Sequence, residues 1–161
     1  STTVVHNGEI SSYDANRRCI EMYGYNCNLL TDTEVITYIA DYLLRRQGLT
    51  LREAASVIAA PFWSTIRTKS PDEAAQLAYL RKLYPSLLVT GPFSIILGFN
   101  GGLMALNDRL KLRSMVVGEK DDMVYIASEE CAIRILEPNP GRLYAPKGGE
   151  PVIVTLNGGA E

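Results

Sequence analysis

Ser94-Ile95-Ile96-Leu97-Gly98-Phe99-Asn100-Gly101-Gly102-Leu103-Met104-Ala105-Leu106 is where the texture of this chain changes. Each apolar run is of strand length, and Asn-Gly-Gly between them gives the backbone freedom of a tight turn, so the stretch reads as a buried β-hairpin. The residues that follow keep this texture. Met115-Val116-Val117 and Val124-Tyr125-Ile126-Ala127 read as a second hairpin around Glu119-Lys120-Asp121-Asp122. Arg142-Leu143-Tyr144 and Val152-Ile153-Val154 read as a third, across Lys147-Gly148-Gly149.

The preceding half is helical. Thr31 with Glu34, Thr50 with Glu53 and Ser70 with Glu73 each carry the capping-box pattern, in which the first side chain accepts from the N3 amide and the glutamate reaches back. After Thr31, Val35, Ile36, Ile39, Leu43 and Leu44 recur at helical spacing until Gly48, a natural stop. After Thr50 a shorter helix stops before Pro61, and after Ser70 one with Pro71 at its first position stops near Tyr84-Pro85. An earlier helix is predicted from Tyr13 to Tyr23, ended by Gly24. Helices first and meandering strands later give an α+β fold with mainly antiparallel sheet.

At 161 residues the chain is the size of one ordinary domain, and residues 1–161 are taken as a single domain. Sixteen Lys and Arg against eighteen Asp and Glu give a net charge of −2, which offers no basic footprint for nucleic acid. Cys19, Cys27 and Cys131 are odd in number without paired CxxC spacing, and His6 is the only histidine. Neither a disulfide framework nor a metal site is expected, and a reducing cytoplasm fits best. The apolar region from Leu83 to Leu106 is cut by Pro85, Gly91, Pro92, Gly98, Gly101 and Gly102 into strand-sized pieces, so no membrane association is expected. Gly101-Gly102 and Gly148-Gly149 lack the Gly-Lys-Ser/Thr ending of a phosphate loop, no GxGxxG follows a strand, and no cofactor is expected.

Chemistry enters at Val4-Val5-His6-Asn7-Gly8-Glu9-Ile10, an apolar strand running straight into Asn-Gly. By itself such a pair is usually a hairpin turn. It can also aim an amide side chain and a bare backbone N–H at one point, which is how an oxyanion is held. Taken in order with Leu30-Thr31-Asp32-Thr33-Glu34-Val35-Ile36, Gly91-Pro92-Phe93-Ser94-Ile95-Ile96-Leu97 and Ala127-Ser128-Glu129-Glu130-Cys131-Ala132, it resembles the class II glutamine amidotransferase domain, the N-terminal-nucleophile glutaminase module. The resemblance runs from His6 to about Val154. Asp108-Arg109-Leu110-Lys111-Leu112-Arg113 looks most like the glutamate synthase version and more distantly like amidophosphoribosyltransferase. Asparagine synthetases also carry an Asn-Gly-Glu-Ile motif.

The resemblance implies a four-layer αββα sandwich and a glutaminase that passes ammonia to a synthase domain or subunit. It gives Asn7, through its amide, and Gly8, through its N–H, to the oxyanion hole, and Asp32 to glutamine's α-ammonium group. The bland reading of Asp32 is a first-turn carboxylate that favours the positive end of the helix dipole. His6 is expected to be structural, since the family's general base is the nucleophile's own α-amine. Family members begin with a catalytic cysteine, and an arginine-bearing segment precedes the Asn-Gly motif. This sequence has neither, so it reads as the later part of the domain, incomplete at the N-terminus and without its own nucleophile. Ser1 begins the strand that ends in Asn7-Gly8, the wrong place for that nucleophile. Cys19 falls within a helix and Cys131 within a motif whose usual role is packing. A chain with uncovered edges is expected to associate with its missing part, another chain or itself. Asn107, Lys111 and Ser114 stand where the family often has Arg, Gly and Pro, which puts that loop's backbone in doubt. The rival from another class is a binding or assembly module of the same fold without catalysis.

Overall fold

A computed structural model describes residues 2–156 and 159–160. The chain forms two compact units, one made of residues up to Gly8 together with those from Pro92 onward, the other of Glu9–Gly91.

The first unit holds the sheets. Strand β1 (Thr3–Gly8) pairs with β2 (Phe93–Phe99), β2 with β3 (Gly102–Asn107), β3 with β7 (Val152–Thr155) and β7 with β8 (Gly159–Ala160), all antiparallel. The β2–β3 hairpin turns where Asn100-Gly101 was expected to turn it. A second sheet has the order β5 (Met123–Ala127), β4 (Val116–Lys120), β6 (Arg142–Tyr144). The β4–β5 hairpin is tighter than the sequence suggested: β4 runs to Lys120, and Asp121 takes the left-handed φ of 49° at the turn.

The third expected hairpin does not form. Strand β6 pairs with β4, whereas β7 crosses to β3 in the larger sheet. Burial decides this, because Val152 and Ile153 are both buried and a central neighbour serves them better than a three-residue edge strand. The two sheets pack face to face in this unit through Ala105, Met115, Val117 and Val152, with Ile96, Val124, Ile126 and Tyr144 around them. Helix α6 (Glu130–Leu136) packs on β4 and β5; its buried Ile133 lies so close to Gly118 that a side chain there would collide with it.

The second unit is helical: α1 (Tyr13–Met22), α2 (Asp32–Asp41), α3 (Leu51–Ile58), the single turn α4 (Trp63–Ile66) and α5 (Pro71–Leu83). Asn16, almost fully buried, ties α1 to the 3₁₀ turn Pro85–Leu87 by donating to the carbonyls of Ser86 and Leu88 at 2.8 and 3.0 Å. The predicted helix from Thr31 to Gly48 is interrupted, since Tyr42–Arg46 widens into a π-helical turn before Gly48 stops it at φ 68°. At the start of that turn the Asp41 carboxylate accepts from Tyr25 Oη at 2.6 Å and from Arg45 Nε and Nη2 at 2.8 and 2.7 Å.

Only one of the three capping boxes is complete. At Thr50 the Glu53 carboxylate accepts from the Thr50 N–H at 2.8 Å while Thr50 Oγ1 accepts from the Glu53 N–H. Ser70 caps α5, but Glu73 pairs with Lys69 instead. Thr31 caps α2, yet Glu34 reaches past it to accept from the Asn28 and Leu29 N–H groups at 3.0 and 2.8 Å. That fixes a loop in which Leu30 sits at φ 56°.

Candidate functional site

Burial alternates residue by residue along Thr3–Gly8, as in a strand, and the structure removes the hairpin reading of Asn7-Gly8. Strand β1 pairs along its length with β2, Asn7 opposite Ser94 and Gly8 opposite Phe93. Gly8 has φ 139°, and a Cβ there would lie 2.1 Å from the Pro92 carbonyl oxygen. The strand end is therefore bare backbone pressed on backbone, with the exposed Asn7 side chain beside it. His6 points to the other face, because successive residues of a strand alternate. It is half-buried in register with Ile95 and Leu106 and does not join Asn7.

Asn7 heads a polar row. It lies opposite Ser94, which lies opposite Asn107 on β3, so all three side chains share one face. The next row on that face is Val5, Ile96, Ala105 and Val152, of which Ile96, Ala105 and Val152 belong to the apolar layer between the sheets while Val5 is exposed. Ser94 Oγ donates to the Ser114 carbonyl at 3.3 Å and Asn107 Nδ2 to the Arg113 carbonyl at 3.4 Å. Asn107 is 0 % exposed, and its Oδ1 has no hydrogen-bond partner among the described residues.

The segment after Asn107 keeps a defined loop despite the departures at Asn107, Lys111 and Ser114. The buried Asp108 carboxylate accepts from the N–H groups of Leu110, Leu112 and Arg113 at 2.9–3.1 Å and from Phe93 at 3.4 Å. Lys111 takes φ 55°, the left-handed region that a glycine would occupy without strain.

In the helical unit, Asp32 is the first residue of α2 and is half-buried. Its Oδ2 accepts from the Ile10 N–H at 2.8 Å. The carboxylate is thus oriented from outside its own helix, which the dipole reading alone does not require.

The three thiols share one electrostatic character. Burial pushes the Cys19 and Cys27 thiols up, with Glu34 adding to the effect at Cys27, and the Glu129 carboxylate beside Cys131 pushes that thiol up. An activated thiol needs the opposite shift. Cys131 is also exposed, donating to Glu129 Oε2 at 3.3 Å, so the packing role expected for it does not hold. Ser1 lies outside the described residues. Among the described residues no cluster of three His, Cys, Asp or Glu could hold a metal, and no helix is long and apolar enough to cross a membrane.

No family model matches the chain. In sequence it is 46 % identical over 154 residues to an uncharacterized protein of Archaeoglobus fulgidus, covering 96 % of this chain and 41 % of that protein. It is 28 % identical over 153 residues to an amidophosphoribosyltransferase of Methanocaldococcus jannaschii, covering 91 % and 26 %. With a putative glutamine amidotransferase of Methanothermobacter thermautotrophicus it shares 32 % identity over 133 residues, covering 82 % and 34 %. The chain thus spans well under half the length of these relatives. Among solved structures, a glutamine phosphoribosylpyrophosphate amidotransferase from B. subtilis, complexed with ADP and GMP, matches all of this chain and 28 % of its own, with a TM-score of 0.67 at 18 % identity. The fold is α+β with antiparallel sheets, that of the N-terminal-nucleophile amidotransferases. In sequence the chain is thus similar to a putative glutamine amidotransferase and an amidophosphoribosyltransferase, and in fold to a glutamine phosphoribosylpyrophosphate amidotransferase.

Proposed function

We propose that this chain is the glutamine-binding, ammonia-releasing part of a glutamine amidotransferase in which ammonia goes to a glutamate synthase-like partner domain or subunit. The observation that carries the glutaminase reading is the end of β1. A glycine with no room for a Cβ and an exposed Asn sit there in a paired strand rather than in a turn. In this role Asn7 Nδ2 and the Gly8 N–H donate to the oxygen that gains charge when glutamine's amide carbon is attacked. Asp32 takes the α-ammonium group, its carboxylate already oriented by Ile10. Water completes the hydrolysis to glutamate and ammonia.

None of Cys19, Cys27 and Cys131 serves as nucleophile in this reading, which their raised thiols support. The domain works in the cytoplasm, without a cofactor of its own and as part of a larger assembly. For the ammonia acceptor, the Asp108–Arg113 loop supports the glutamate synthase type. The M. jannaschii relative favours a second reading, phosphoribosyl pyrophosphate as acceptor.

The test is steady-state glutaminase kinetics in the full-length gene product. Asn7→Ala is expected to lower kcat by roughly 10²–10³ with glutamine binding mostly retained, because the bond strengthens only as charge develops. Asp32→Asn is expected chiefly to raise KM, because it meets a charge already present in the ground state. If neither substitution alters glutamine hydrolysis, the reading falls, and a binding module without catalysis replaces it. Glutamine-dependent product formation from phosphoribosyl pyrophosphate, rather than from a 2-oxo acid, would move the acceptor to the second reading.

A further inference from the structure

The polar row Asn7–Ser94–Asn107 contains one atom that the sheet leaves unused. Asn107 Nδ2 donates to the Arg113 carbonyl, which fixes the amide's orientation: exchanging O and N would set two oxygens against each other. Its Oδ1 is then a buried acceptor without a donor. Such groups are uncommon in native structures, and this one lies in register, on the same face, with the proposed oxyanion donor.

We infer that Asn107 is a specificity-determining residue, whose Oδ1 accepts an N–H of the substrate's carboxamide while Asn7 donates to the carboxamide oxygen. The inference rests on the glutaminase reading. Adjacent strands lie about 4.8 Å apart, so Asn7 and Asn107, two strands apart, have backbones roughly 9–10 Å apart. A carboxamide with one hydrogen bond at each end spans roughly 8 Å. Two Asn side chains two strands apart on one face of the sheet therefore suit an amide that presents O on one side and N–H on the other. An ester has no N–H to offer, so the arrangement selects an amide. Asn107 is fully buried, so contact with its Oδ1 requires the chain that covers it to move; the exposed strap Arg113–Ser114 is held to the row by only the two bonds at 3.3–3.4 Å, the long end of the hydrogen-bond range.

The experiment compares glutamine with the γ-methyl ester of glutamate as substrates of the full-length gene product. Asn107→Leu is expected to lower kcat/KM for glutamine roughly tenfold, the usual worth of one neutral hydrogen bond. The ester should change by less than about threefold, since it never made that bond. Asn107→Ala, which withdraws the acceptor without adding apolar volume, should do the same, so failure of one variant to fold leaves the other to decide. Retained ester turnover itself reports a folded site. Parallel losses on both substrates, or no loss on either, overturn the inference. Asn7→Ala in the same assay separates the levels. If it slows both substrates while the Asn107 variants change nothing, only the inference fails; if it slows neither, the glutaminase reading fails.

Discussion

Replacing Gly8 by alanine measures how tightly the end of β1 is built. The added Cβ would start 2.1 Å from the Pro92 carbonyl oxygen and 2.9 Å from Phe93 Cα, where real Cβ contacts essentially never fall below 3.0 Å. Relief needs a shift of roughly 1 Å between two paired backbones, and overpacking of that kind costs about 1–3 kcal/mol. A φ of 139° adds about 1–3 kcal/mol of backbone strain for any residue with a side chain. For a chain of this size each kcal/mol lowers Tm by about 2–4 °C, so Gly8→Ala should fall by roughly 5–20 °C in thermal unfolding followed by circular dichroism. Gly101→Ala is the control. It also has a positive φ, 94°, but open space around the added Cβ, so it carries the strain without the collision. Gly8→Ala is expected to lose at least twice as much as the control. Equal losses would refute the claim that backbone contact, rather than φ alone, fixes this glycine.

Two further outcomes follow from particular residues. Lys111→Gly should raise Tm by about 1–4 °C, because relief of left-handed strain, about 1–2 kcal/mol, outweighs the 0.5–1 kcal/mol that glycine's extra freedom costs; a lower Tm would show that the lysine side chain holds the loop. Asp41 is a pH test: the Arg45 guanidinium, reinforced by Tyr25 and opposed by burial, holds its carboxyl below the ordinary 3.8. A lowered folded pKa contributes stability that is present above 3.8 and is lost as pH falls through the folded value. Asp41→Asn should therefore be less stable than the parent at pH 7, with the gap closing in acid, and a gap constant with pH would exclude the ionic account.

Local patterns were legible in the sequence. The β2–β3 hairpin, the starts of α2, α3 and α5 and the stops at Gly24 and Gly48 all depend on neighbours within a few residues, and each lies close to where the pattern put it. Non-local choices were not legible. Arg142–Tyr144 and Val152–Thr155 are near in sequence, but their pairing is decided by which sheet buries Val152 and Ile153, and periodicity does not carry that. Helix α6 was missed because Ile135 and Leu136 stay exposed; its one signal was the i,i+4 pair Glu130 and Arg134. Of the candidate site, Asn7, Gly8 and Asp32 were nameable by resemblance. The Ile10–Asp32 bond and the place of Asn107 in the row depend on where distant segments meet.

The loop from Asp108 to Arg113 shows why departures from a family pattern need not change a backbone. Glycine at position 111 and proline at 114 would favour this path by lowering the freedom or strain of the chain itself. Here Lys111 accepts the left-handed φ and Ser114 lacks the fixed φ of a proline, yet one buried carboxylate takes three backbone N–H groups at 2.9–3.1 Å. Hydrogen bonds to a charged acceptor contribute about 1.5–3 kcal/mol each, so together they exceed the about 1–2 kcal/mol of strain at Lys111 several-fold. Asp108 therefore dictates the loop, and positions 110–114 are left free to vary their side chains. Leu110 and Leu112, 61 % and 58 % exposed, and the cations Lys111 and Arg113 use that freedom. Asn107 does not share it: buried at the end of β3, it stands in the row with Asn7, and its Nδ2 donates to the Arg113 carbonyl.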